Sequence, residues 1–167
     1  MRTLLSLFIL VGLAAPASAL TFAESASRSH KNYVNGGLGM GQGGFGFRGA
    51  YEYTYHRTYS IGGLIHIEPK DEDVAAPAVT AIHAFMRPHF FQRTFDFYLS
   101  PGFGLAIVDS GAKDETVIGP SLAIGILYQL NEEMALGVEN LKLYSWTGSD
   151  FKGVLSDTLF ANFKYGF

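Results

Sequence analysis

A period of two constrains this chain more than any other feature. Bulky apolar side chains alternate with small or polar ones through eight segments of roughly ten to thirteen residues, the length of a tilted bilayer-spanning strand. They are "YVNGGLGM" (33–40), "FGFRGAYEYTY" (45–55), "TYSIGGLIHI" (58–67), "VTAIHAFMRPHF" (79–90), "FDFYLSPGFGLAIV" (95–108), "VIGPSLAIGILYQ" (117–129), "MALGVENLKLYSW" (134–146) and a last stretch ending in "FANFKYGF". Alternation of this kind places each segment in a half-buried strand. No apolar run in the chain reaches the length a membrane helix needs. The 20 glycines, 14 phenylalanines and 9 tyrosines suit strands far better than helices.

The connections alternate as well. Those after the second, fourth and sixth segments are very short, whereas "EPKDEDVAAPA", "DSGAKDE" and "TGSDFKG" are longer and polar. The glycine-rich "GQGG" of the first hairpin is the exception. Short turns alternating with longer loops predict an up-and-down barrel. Two barrels share that period: a soluble one with an apolar interior, and a membrane one with an apolar exterior. The quality of the faces decides between them. In the fifth segment Phe95, Phe97, Leu99, Pro101, Phe103, Leu105 and Ile107 oppose Asp96, Tyr98, Ser100, Gly102, Gly104, Ala106 and Val108. The second set is too small and too weakly charged for a solvent-facing surface, and it suits a narrow interior. The expected fold is therefore all-β: an eight-stranded antiparallel up-and-down transmembrane β-barrel. Tyr and Phe gather near the short turns, as at a membrane–water boundary, and Trp146 marks the opposite one.

Residues 1–19 read as a secretory signal peptide. Arg2 supplies the charge, "LLSLFILVGLAA" the apolar run, and Ala17-Ser18-Ala19 the small-residue cleavage site near Ala19. The mature barrel is expected over 20–167, with 20–31 showing no clear pattern. Absence of cysteine excludes disulfides, and a net charge of −3 excludes a nucleic-acid partner as the natural expectation.

Signal, eight strands and the closing "NFKYGF" together resemble the small eight-stranded outer-membrane barrels of Gram-negative bacteria. These are the outer-membrane-protein-A-like transmembrane barrels, here without a periplasmic domain. The resemblance implies that Phe163, Tyr165 and Phe167 form the signal read by the barrel-assembly machinery. It also implies an outer-membrane location, with lipid and lipopolysaccharide as surroundings and the chain as a monomer.

If bulky faces meet lipid, parity turns Arg48, Glu52, His56, His66, His83, Arg87, His89, Asp96, Glu139 and Lys164 into the lumen. Such charges must pair, which predicts a polar plug. Lys142 is left unassigned, because the period of the seventh strand slips near Glu139-Asn140. A turn centred near Gln92-Arg93 would set His89 opposite Asp96 and Arg87 opposite Tyr98. The expected role is non-enzymatic, structural or surface-interacting, with no cofactor and no metal. The alternative is a lipid-modifying enzyme of the lipid A deacylase or acyltransferase type. The histidines lack a serine at the needed spacing, and His66 with His83 lacks a third metal ligand. Glu68, Asp71, Glu72 and Asp73 could hold divalent cations but lack the spacing of a calcium loop.

Overall fold

The computed structural model describes residues 21–70 and 76–167. The signal peptide expected over 1–19, and Asp71, Glu72 and Asp73, lie outside the described residues. Among the described residues one helix precedes eight strands: α1 (Phe22–Ser29), β1 (Asn32–Gly41), β2 (Gly44–His56), β3 (Tyr59–Glu68), β4 (Ala78–Gln92), β5 (Phe95–Asp109), β6 (Asp114–Gln129), β7 (Met134–Ser145) and β8 (Gly153–Gly166). Each strand pairs antiparallel with the next, and β1 closes on β8 through pairs such as Gly36 with Phe163, giving a closed barrel. Closure leaves no unpaired edge.

Burial follows the period of two. On β4, Val79, Ala81, His83, Phe85, Arg87 and His89 are buried, while Ile82, Met86 and Phe90 are 62%, 51% and 57% exposed. A wall whose large apolar side chains point outward is the inverse of a soluble domain.

Four expectations need correction. The turn after β4 lies at Arg93-Thr94, with Arg93 in the left-handed region (φ 57°). Gln92 then faces Phe95 and His89 faces Tyr98, not Asp96. β4 runs one residue further, and β5 begins one residue later, than a turn centred on Gln92-Arg93 allows. His56 is exposed, because the β2–β3 register shifts between Thr54 and His56. On β7 the backbone does not slip at Glu139-Asn140. Parity continues, so Leu141 and Leu143 are buried and Asn140 and Lys142 face outward. Chemical pattern, not phase, inverts there; the irregularity comes later, between Leu143 and Tyr144.

The fourth correction is α1, in the stretch without a readable pattern. Thr21 caps it by accepting from the Glu24 amide. Thr21 and Glu24 have the spacing of a capping box, a signal short enough to pass unnoticed. Ala23, Ala26 and Ser27 form its buried face, packed against the ends of β4, β5 and β6. The Ala23 amide donates to the Arg93 carbonyl at 2.9 Å, and Tyr33 Oη donates to the Ala26 carbonyl. The helix thus lies across the turn end of the barrel.

Candidate functional site

The interior has two layers of different chemistry. Near the turn end, β2, β4, β5, β7 and β8 project charged groups into one cluster. Arg87 sits at its centre, fully buried. Nη1 donates to Glu52 at 2.7 Å, Nη2 to Glu139 at 3.4 Å and Nε to Ser100 Oγ at 2.6 Å. Its guanidinium lies 4.6 Å from the Phe85 ring centre and 4.3 Å from that of Tyr98. Glu52 also receives Lys164 Nζ at 2.8 Å and His89 Nε2 at 3.1 Å. Glu139 pairs with Arg48 Nε at 2.9 Å and accepts from Tyr98 Oη at 2.6 Å. Gly125 makes room for that tyrosine, since a Cβ there would collide with the ring.

His89 Nδ1 meets Asp96 at 2.8 Å, although the two residues are not directly opposed. The diagonal across an antiparallel pair is within reach of long side chains. With carboxylates at both ring nitrogens, only the imidazolium supplies a hydrogen to each. Arg48, Glu52, Arg87, His89, Asp96, Glu139 and Lys164 thus form one connected network, all buried. His66 and His83 are buried outside it.

Above the network the interior is apolar. Leu64, Val79, Ala81, Phe85, Ala106, Val108, Val117, Ala123, Leu141, Leu143 and Phe160 form a continuous core, with Phe151 and Leu155 packed on it. Sequence parity alone led to a polar plug; the small alanines and valines of the inner face supply this second layer. Beside it, Glu68, His66, Ser156 and Thr158 make a polar cluster. Ser156 Oγ donates to Glu68 at 2.7 Å and lies 3.3 Å from His66 Nε2. Glu68 meets that same nitrogen at 3.3 Å. A catalytic serine needs a histidine held by the carboxylate through its other nitrogen. Here hydroxyl and carboxylate compete for one nitrogen, so the arrangement ties β3 to β8 without activating the serine. Ser100 is bound to Arg87, and His83 is opposed by Gly104, so these two do not meet. No group of three or more metal-ligating side chains occurs among the described residues.

At the loop end, Glu115 accepts from the amides of Ser149, Asp150 and Phe151 at 2.6, 3.1 and 3.1 Å. These hydrogen bonds, that from Ser149 foremost, hold its carboxyl below the ordinary range. Lys113 donates to Asp150 at 2.9 Å, a contact that raises the Lys113 ammonium. Phe163, Tyr165 and Phe167 are 42%, 37% and 57% exposed on the outer wall. The Phe167 amide donates to the Asn32 carbonyl at 2.9 Å, at the seam where the barrel closes.

No family model and no curated protein sequence matches the chain. Solved structures do. Neisserial surface protein A is similar at 20% identity and a TM-score of 0.62, over 81% of this chain and 94% of that one. The N-terminal β-barrel domain of Pseudomonas aeruginosa OprF matches at 13% identity and 0.61, over 83% and 98%. Ail, the attachment invasion locus protein of Yersinia pestis, in complex with the heparin analogue sucrose octasulfate, matches at 14% identity and 0.50, over 81% and 97%. The chain therefore has the fold of the small eight-stranded outer-membrane β-barrels.

Proposed function

We propose that this chain is a non-enzymatic outer-membrane protein of a Gram-negative bacterium, with a structural or surface-interaction role and a lumen closed to solutes. One observation carries the reading: bulk faces outward while the interior is filled. Arg87, Phe160, Leu127, Leu141, Leu143, His66, Glu52, Glu68 and Glu139 are all fully buried, inside a barrel whose strand number leaves room only for side chains. α1 at one end and Phe151 with Leu155 at the other add to the filling. The leader at 1–19 supports export, and the aromatic series Phe163, Tyr165 and Phe167 supports delivery by the barrel-assembly machinery. Lipid and lipopolysaccharide are then the natural surroundings of the exposed wall.

The sucrose octasulfate of the Ail complex does not transfer readily. The described loop-end residues Asp109, Asp114, Glu115 and Asp150 outnumber Lys70, Lys113 and Lys152, a balance that disfavours a polysulfate. Reconstitution into planar bilayers tests the closed lumen. The expected record is flat, and discrete conductance steps from folded protein would overturn it. Lipid A mass spectra should be the same with and without the protein; altered acylation would favour a lipid-modifying enzyme.

A further inference from the structure

The charges of the lumen network do not balance. Arg48, Arg87, Lys164 and the His89 imidazolium are set against Glu52, Asp96 and Glu139, so buried cations outnumber buried carboxylates by one. The surplus shows at Arg48. Its Nε meets Glu139 at 2.9 Å, whereas Nη1 and Nη2 meet no acceptor, in a residue that is 4% exposed. Glu68, the other carboxylate of the interior, is engaged elsewhere. It is taken up by His66 and Ser156, and its Oε1 lies beside Gly43 at the loop end.

Two carboxamides join Arg48 around one glycine. Gly37 on β1 is opposed by Arg48 on β2 and by Asn162 on β8, all on the inner face. A Cβ at Gly37 would collide with Asn162 Oδ1, so only glycine lets the carboxamide lie over the strand. Asn35 is the next inward residue of β1 and opposes Lys164. Asn35 Nδ2 and both polar atoms of the Asn162 side chain meet no partner, though both residues are buried. Glu139, which Arg48 reaches on β7, opposes Phe160, the inner neighbour of Asn162 on β8. The closing strands therefore bring one guanidinium edge and two carboxamides to one level of the lumen.

What these groups offer is almost all donor. Arg48 Nη1 and Nη2 and the two carboxamide nitrogens carry only hydrogens, against a single unmatched oxygen, Asn162 Oδ1. A water would bring two hydrogens of its own to a place with one acceptor for them. An anion brings acceptors only, and its charge offsets a surplus cation that is costly to bury alone. The side chains that fill the barrel favour a small ion over a polyatomic one.

We propose that Arg48, Asn35 and Asn162 hold a small monovalent anion of the halide class inside the barrel. Arg48 Nη1 and Nη2 supply the charge, and the carboxamide nitrogens complete the donor set. The anion ties β1 and β8, whose pairing closes the sheet, to the charge network. The site needs only the interior, and it stands whether or not the lumen conducts.

Protein folded into phosphatidylcholine vesicles in sodium chloride, or in sodium gluconate at equal ionic strength, supplies the test. Gluconate carries the same charge on a far larger ion. Urea unfolding of the wild type should give a folded-to-unfolded ratio about tenfold higher in chloride. Asn162→Asp puts a carboxylate of the chain's own in the site and should be equally stable in both salts. Arg48→Met removes the surplus charge and leaves Glu139 to Arg87 and Tyr98, so it should lose the difference too. Heat-modifiable migration reports folding, and Arg48→Met serves alone should Asn162→Asp fail to fold. Crystals grown in sodium bromide should show anomalous density beside Arg48 Nη1 and Nη2. Equal wild-type stability in the two salts overturns the site, whether the density there is an ordered water or bromide bound at crystal concentration only. So does a chloride preference that a folded variant keeps in full, which is a general effect of the salt.

Discussion

Arg87 shows how one side chain can organise the interior. Its three donor positions meet Glu52, Glu139 and Ser100, and its plane is sandwiched by Phe85 and Tyr98. Arg87→Met should destabilise the folded barrel by about 3–5 kcal/mol, because two buried carboxylates lose a partner they share. Urea unfolding in lipid vesicles measures this, and a loss below about 1 kcal/mol, the worth of an exposed pair, would show that Lys164 and Arg48 suffice. Asp96→Ala strips the imidazolium of one counter-charge in a site that is 4% exposed, and should cost more than Asp109→Ala on the rim, where a charge stays hydrated. Equal effects would mean that Glu52 and Ser60 suffice to hold His89. That Arg87, His89 and Asp96 share the interior follows from alternation alone, since position parity fixes the face of a strand residue. Their partners do not follow. The Arg87–Glu139 and Lys164–Glu52 contacts span the lumen between strands distant in sequence, and they depend on how the closed sheet is staggered. His89 and Asp96 meet on a diagonal that an error of one residue in the turn centre turned into a direct pair.

Among elements, strands were legible and the helix was not. Ten or more residues of alternation give many independent signs of a strand, whereas α1 offers eight residues of which only Ala23, Ala26 and Ser27 repeat at helical spacing. β7 shows the limit of pattern in a strand: Leu141 and Leu143 look outward-facing by chemistry, yet backbone parity puts them inside. The apolar core of the upper lumen was missed for a related reason, as Ala and Val on an inner face read equally as lining or as filling. One carboxylate gathers three amides of the β7–β8 loop. Glu115 is anionic when it holds the amides of Ser149, Asp150 and Phe151, and these bonds keep its carboxyl below the unfolded value. A depressed carboxyl stabilises above the unfolded value, and that contribution disappears as pH falls through the lowered one. Hydrogen exchange at those three amides, corrected for intrinsic rates, should stay slow from neutral pH down to the ordinary carboxylate range and quicken below it. Glu115→Gln should quicken it throughout the range in which the wild type is protected and remove the pH dependence. Equal protection in wild type and variant would assign the loop's order to Phe151 packing on the core instead.

At the level of the whole molecule, closure and direction are linked. β8 is the strand that turns an open sheet into a barrel, pairing with β1 from Gly41 to Tyr33 and with β7 along its length. Phe167 lies just past that seam, its amide bound to Asn32 and its ring on the outer wall. If it is also the assembly signal, Phe167→Ala should leave export intact and lower the heat-modifiable folded form in the outer membrane. Undiminished assembly would leave Phe167 as an ordinary wall residue. Direction follows from the strand count. If residues 1–19 act as the leader expected from the sequence, the chain enters from the periplasm, α1 starts there, and each connection after an odd-numbered strand lies on the far side. The two longest connections, 69–77 and 146–152, belong to that group together with 110–113 and the short β1–β2 turn at 42–43, while the turns at Arg57-Thr58, Arg93-Thr94 and 130–133 share the end with α1. In outer-membrane barrels short turns are periplasmic and longer loops external, so the two longest connections agree with the count, and the β1–β2 turn is the exception. On intact cells a membrane-impermeant maleimide should label a cysteine at Ala112 or Ser149 and spare one at Arg93 or Glu132, which should react only after the outer membrane is permeabilised. Labelling of Arg93→Cys on intact cells would reverse the orientation, and would place the cap formed by α1 on the outer face of the cell.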